Sequence, residues 1–178
     1  SRHECAKLTL DGKVVATFAW PEASGKYSKK DEYHPTSIAV APNGEVFCAD
    51  GYGKSFIHQH SAKGEYMQTY GGPGGENGKM HTPHGLFIDT RPKSPVLVVA
   101  DRENGRLQLF DLNGKFLREV KGDLRRPCNM DTFGNLMAVA DLAGRVTLLD
   151  ENYKLVDQIG DNPDQAKWAN NGVPSKDW

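Results

Sequence analysis

Cysteine is scarce. Cys5, Cys48 and Cys128 are the whole supply among 178 residues, and no two form a Cys-x-x-Cys pair. An odd, scattered set gives no sign of a disulfide framework and leaves the redox compartment open. Cys48 falls inside an apolar run and reads as a small core residue. An excess of charge of one sign is also missing: the formal net charge is −1, with no block of like charge. A basic footprint for nucleic acid is therefore absent, which argues against that class of partner. No apolar run approaches the length of a membrane span, and no signal-peptide pattern is visible at the start. What remains is 38% hydrophobic residues with 19 glycines and 10 prolines. That is a turn-rich globular composition, long enough for one domain with a real core.

The chain does contain a repeat. Prolines at 35, 83 and 127 each open a short apolar run, and Ala-Asp pairs ending at Asp50, Asp101 and Asp141 each close a second one. A third run follows each pair (Phe56 onward, Leu107 onward, Val146 onward). These runs are rich in Val, Ile, Leu and Phe and too short for helices, so they read as strands. A period of roughly 40–50 residues, built of short strands with turn residues between them, is that of a four-stranded propeller blade. In the middle blade the four strands fall at 86–89, 96–100, 106–110 and 116–120. Asn43-Gly44, Gly134-Asn135, Asn113-Gly114 and Asp11-Gly12 supply hairpin turns, because these residues tolerate positive φ.

The expected fold is all-β, a propeller of about three and a half four-stranded blades. The chain reads as a single, incomplete propeller domain over 1–178. A partial blade occupies 1–20, full blades occupy 34–71, 82–121 and 126–160, and 161–178 is a loop toward a further blade. A half-ring leaves two open edges that invite pairing, so missing segments or another chain are expected to complete it. The segment 21–33 reads as a polar loop. Gly71–His81 reads as a flexible crossing and not a phosphate cradle, since no Gly-Lys-Ser/Thr ending or helix follows.

Because successive strands are antiparallel, the hairpins lie at one end of each blade. The loop after the second strand and the crossing to the next blade lie at the other. That places His84, Tyr52 and Arg102 on one face, where loops on a rigid scaffold commonly carry binding and catalysis. Each has a bland reading: His84 as a turn-capping loop histidine, Tyr52 as an aromatic lid, and Arg102 and Arg106 as a surface network with Asp101 and Glu103. His58 and His60 alternate along one strand and share a sheet face, a spacing that suits strand packing or a metal. His34 and His81 read as loop residues. Position 84 corresponds to Thr36 and Cys128 in the adjoining blades, so Cys128 is either a second soft ligand or a buried thiol. The recurring Asp50, Asp101 and Asp141 read as structural, accepting backbone N–H groups of the following turn.

The repeats resemble NHL propeller repeats over almost the whole chain. Pro83-His84-Gly85-Leu86, followed by Ala100-Asp101-Arg102-Glu103-Asn104-Gly105-Arg106, resembles the peptidyl-α-hydroxyglycine α-amidating lyases, as does Asp50-Gly51-Tyr52. The resemblance implies a six-bladed ring and a zinc ion held by three histidines from different blades. It implies cleavage of a C-terminal α-hydroxyglycine to a peptide amide and glyoxylate. By position it makes His84 a zinc ligand, Tyr52 the base that takes the substrate hydroxyl proton, and Arg102 an active-site arginine. The other ligands would come from outside this segment. Gly53 stands where animal members have a cysteine. The resemblance also implies a peptide or small polar substrate, a bound calcium ion, and a secreted or periplasmic location. The alternative expectation is a non-catalytic NHL scaffold that binds a protein or peptide on the same face.

Overall fold

A computed structural model describes residues 3–169. Its architecture is nearly all-β. Strands β1 (Cys5–Leu8) and β2 (Val14–Phe18) form a two-stranded sheet. Three four-stranded antiparallel meanders follow. The first contains β3 (Ser37–Val40), β4 (Val46–Ala49), β5 (Phe56–His60) and β6 (Tyr66–Gly71). The second contains β7 (Pro83–Asp89), β8 (Val96–Asp101), β9 (Arg106–Asp111) and β10 (Phe116–Lys121). The third contains β11 (Pro127–Phe133), β12 (Leu136–Asp141), β13 (Arg145–Leu149) and β14 (Leu155–Ile159). Four-stranded meanders of this kind are propeller blades. The loop expected over 161–178 is described only to Ala169, and the rest of it lies outside the described residues.

Hairpin chemistry follows the sequence. At Asn113-Gly114, Asp111 Oδ1 accepts the backbone N–H groups of Asn113 and Lys115, both at 2.9 Å. Gly114 turns at φ 83°, which a side chain would resist.

The core lies between blades. Leu97, Val99 and Phe110 of the second blade pack on Phe47, Ala49 and Ile57 of the first. On the opposite face Val98, Leu107 and Leu109 pack on Met137, Val139 and Leu149 of the third. β8 is therefore buried throughout. Full burial of each large apolar side chain contributes about 1.5–3 kcal/mol. Among the described residues the third blade has one such neighbour, and the first has only the two-stranded sheet on its other side, through Phe18, Val46 and Cys48. Val14, Val15 and Val40 are exposed at one end, and Phe133, Val156 and Ile159 at the other.

Two stretches differ from the sequence reading. The segment 21–33 is not merely polar: Tyr27 and Tyr33 in it are buried. Their hydroxyls make this tolerable, since buried tyrosine needs a polar partner. The Gly71–His81 crossing is tied down. Met80 is fully buried and bridges back toward Pro73, while Arg106 Nη2 donates to the Glu76 and Lys79 carbonyls at 3.0 Å each.

His58 and His60 pack within the blade. Tyr27 donates to Asp50 Oδ2 at 2.6 Å, so its oxygen accepts from His58 Nε2 at 2.7 Å, and His58 Nδ1 accepts from Thr69 at 2.8 Å. Burial, with a smaller contribution from His60, pushes the His58 pKa down to about 3, and burial lowers that of His60 too. An unfolded histidine takes its proton near pH 6.5, while the folded one stays neutral well below that. The unfolded state thus binds more protons in this window, and stability falls as pH drops. The expected slope is up to about 1.4 kcal/mol per pH unit for His58 between pH 6.5 and 5. Urea midpoints at pH 7, 6 and 5 should fall more steeply for the parent than for His58→Gln; equal slopes would contradict this assignment.

Candidate functional site

The first strands of the three blades lie side by side, β7 between β3 and β11. The chain enters each through a repeated latch. Asp50 accepts the His34 backbone N–H at 2.7 Å, Asp101 that of His81 at 2.7 Å, and Asp141 those of Arg125 and Arg126 at 2.8 and 2.9 Å. The loop after the second strand returns the contact, with Tyr52, Arg102 and Leu142 N–H groups donating to the His34, Thr82 and Arg126 carbonyls. The aspartates serve the following turn as well in two blades, through Lys54 N at 2.6 Å and Ala143 N at 2.9 Å. Asp101 instead takes the side chains of Asn104, Arg106 and Gln108. Burial raises the Asp50 pKa against the pull of its donors.

His84 does not sit in a loop entering β7; it lies within the strand. Pro83 pairs with Asp101 and Gly85 with Ala100, so His84 is the extra residue of a β-bulge. Cys128 occupies the same place in β11, where Pro127 pairs with Asp141 and Asn129 with Ala140. Bulges re-aim side chains and favour site margins. Thr82, just before, adopts φ 58°, a strained conformation for a β-branched residue.

The three predicted site residues meet. His84 Nε2 lies 3.1 Å from the Tyr52 hydroxyl, and Arg102 Nη1 donates to that hydroxyl at 3.1 Å. The Tyr52 and His84 rings stand edge to face at 5.7 Å, and the Arg102 guanidinium lies over the Tyr52 ring at 5.4 Å. His84 Nδ1 lies 3.1 Å from the Cys128 carbonyl. A carbonyl only accepts, so Nδ1 carries the proton and Nε2 keeps its lone pair. The hydrogen bonds then run one way: Arg102 donates to Tyr52, Tyr52 to His84, and His84 to Cys128. Burial opposes the Arg102 charge, but Tyr52 and Glu103 outweigh it and hold the guanidinium pKa above its ordinary value.

Glu103 was not foreseen as a bridge. Its Oε1 accepts from Arg102 Nε at 2.8 Å and from Arg126 Nη2 at 2.6 Å. Burial raises the Glu103 pKa, yet the two guanidinium groups prevail and lower it. Arg106 is not part of a surface network. It is buried and holds Asp101 at 2.7 Å and Glu119 at 2.9 Å. Cys128 is half-buried, and burial raises its thiol pKa despite the nearby Arg102 charge. The His34 ring stands edge to face against His3 at 4.8 Å.

An imidazole whose Nδ1–H is fixed by a carbonyl and whose Nε2 keeps its lone pair has the arrangement of a metal ligand, and a metal on Nε2 of His84 would replace the hydrogen bond from Tyr52 there. His84 fits that description. Among the described residues no three His, Cys, Asp or Glu side chains gather to hold a metal, so any full ligand set at His84 would need side chains beyond them.

No protein-family model matches the chain. Among curated proteins, peptidylglycine alpha-amidating monooxygenase of Rattus norvegicus is 42% identical over 93 residues, covering 49% of this chain and 9% of that protein. Peptidyl-alpha-hydroxyglycine alpha-amidating lyase 1 of Drosophila melanogaster is 38% identical over 125 residues, covering 64% and 22%. The chain thus spans less than a quarter of either relative. Among solved structures, virginiamycin B lyase of Staphylococcus aureus superposes with a TM-score of 0.66 at 15% identity, covering 94% of this chain and 51% of that one. At that identity the likeness establishes the propeller fold alone.

Proposed function

We propose that this chain, an NHL-type propeller segment with amidating lyases among its sequence relatives, carries part of the active face of a metal-dependent lyase acting on a peptidyl-α-hydroxyglycine. The observation that carries the reading is the meeting of His84, Tyr52 and Arg102 at hydrogen-bond distance, with His84 Nδ1 fixed on the Cys128 carbonyl. His84 Nε2 would hold zinc in place of its hydrogen bond from Tyr52, with the remaining ligands supplied from outside the described residues. Bound zinc supplies a Lewis acid that acidifies a hydroxyl. Tyr52 takes the hydroxyl proton of the substrate, with Arg102 donating to its oxygen. The electron pair left on that oxygen forms the aldehyde of glyoxylate as the C–N bond breaks, and the nitrogen takes up a proton to leave as the peptide amide. Arg102 also offers N–H groups suited to a carboxylate. A non-catalytic scaffold on the same face is the reading with less support.

The test uses the whole protein that carries this chain. Zinc content after dialysis and release of glyoxylate from a peptidyl-α-hydroxyglycine are measured for parent and His84→Ala. The parent should hold stoichiometric zinc and turn over. The variant should bind zinc at least about 100-fold more weakly. Undiminished zinc binding in the variant would sink the assignment, and a parent without metal or turnover would favour the scaffold.

A further inference from the structure

Beside the trio, on the third blade, a cavity of about 360 Å³ is lined by Arg125, Arg126, Ala143, Gln165, Trp168 and Ala169. Its cations outnumber their partners. Arg125 and Arg145 share a single oxygen, Asp161 Oδ1, at 2.6 and 3.3 Å. Arg126 and Arg102 likewise share Glu103 Oε1 at 2.6 and 2.8 Å. Asp141 is engaged by backbone N–H groups. Four guanidinium groups thus rest on two exposed-edge carboxylates.

The surplus shows in unspent donors. Arg125 Nη1 and Arg126 Nε are buried with no hydrogen-bond partner among the described residues. The Arg125 side chain is only 13% exposed. Leaving a buried charged donor unpaired is costly, so an acceptor from outside is favoured. Burial and the neighbouring Arg145 charge lower the Arg125 pKa, as expected where negative charge is short. The guanidinium lies over the Trp168 ring at 3.2 Å, and Trp168 Nε1 donates to the Asn162 carbonyl at 2.7 Å. Stacking fixes the plane of the arginine fork, with Nη2 on Asp161 and Nη1 the donor left without a partner among the described residues. The other walls are alanine and indole, so the cavity suits an oxyanion on an apolar stem.

We propose that this cavity is a binding site for a small carboxylate with an apolar stem, in which Arg125 and Arg126 hold the carboxylate and Trp168, Ala143 and Ala169 flank the stem. The site is separate from the His84 position and does not require the lyase reading. Glu103 nevertheless joins the two, because it braces both Arg126 and Arg102.

The test is calorimetric titration of the full protein with butyrate, with chelator present so that carboxylate–metal binding is excluded. Butyramide serves as the neutral isostere and inorganic phosphate as the rival oxyanion. Butyrate should saturate, and butyramide should bind at least about tenfold more weakly, as the loss of charge-assisted hydrogen bonds requires. Arg126→Gln should weaken butyrate by about tenfold or more. Gln165 is exposed at the rim, so Gln165→Trp should block entry without disturbing the sheets. Thermal unfolding of each variant checks folding, and butyrate should raise the melting temperature of the parent alone. Absence of saturable butyrate binding, equal binding of butyramide, unchanged binding in both variants, or a preference for phosphate would each overturn the proposal.

Discussion

Replacing Tyr52 by phenylalanine is expected to cut turnover of a peptidyl-α-hydroxyglycine by about 10²–10⁴-fold, the range for loss of a general acid–base group. The change removes one oxygen, the atom that links Arg102 to His84. Tyr52 is 58% exposed, so its loss leaves no core cavity, and stability should shift by less than about 0.5 kcal/mol. KM should change far less than kcat, because Arg102 retains its charge and its Glu103 contact. A turnover loss below about threefold, with KM raised instead, would reassign Tyr52 as a packing lid.

Asp101→Ala should be the most damaging single change to the fold. The carboxylate is fully buried and accepts from His81 N, Arg106 Nε, Asn104 Nδ2 and Gln108 Nε2. Its removal leaves the His81 backbone N–H and Arg106 Nε without an acceptor, with Glu119 the carboxylate that still holds Arg106. Breaking a buried ion pair from one side costs about 3–5 kcal/mol. Chemical denaturation of parent and variant measures this. The His81 latch is lost too, so the Arg102 loop should loosen, and amide exchange at Arg102 and Glu103 should accelerate. Asp101→Asn, which keeps an acceptor oxygen, should be milder; equal losses in both variants would point to the charge rather than the latch.

The blade pattern was legible because strands, Asn-Gly turns and terminal aspartates recur at matching places. In the second blade the observed strands extend the expected ones by one to three residues, chiefly at β7, where Pro83–Asp89 replaces a start at Leu86. Local pattern does not reveal a bulge: Pro83-His84-Gly85 reads as a crossing, and only pairing with Asp101 and Ala100 shows the extra residue. The approach of Tyr52, His84 and Arg102 followed from strand direction alone. Their one-way hydrogen bonding did not, since it depends on the carbonyl of Cys128, a backbone group that no residue type announces. Burial of Arg106 and Tyr27 was equally hidden, because each also relies on partners 20 or more residues away.

The latches have a consequence for what can change in such a chain. Thr36, His84 and Cys128 stand at one repeated address, and Thr36 reaches the Pro83 carbonyl at 2.8 Å much as His84 reaches that of Cys128. The frame around that address is held chiefly by the aspartates and the backbone, and the Thr36 and His84 side chains each add one bond to the next blade. Hydroxyl, imidazole and thiol thus stand in one architecture, and an occupant that can donate to the neighbouring carbonyl keeps that bond while changing the chemistry the face presents.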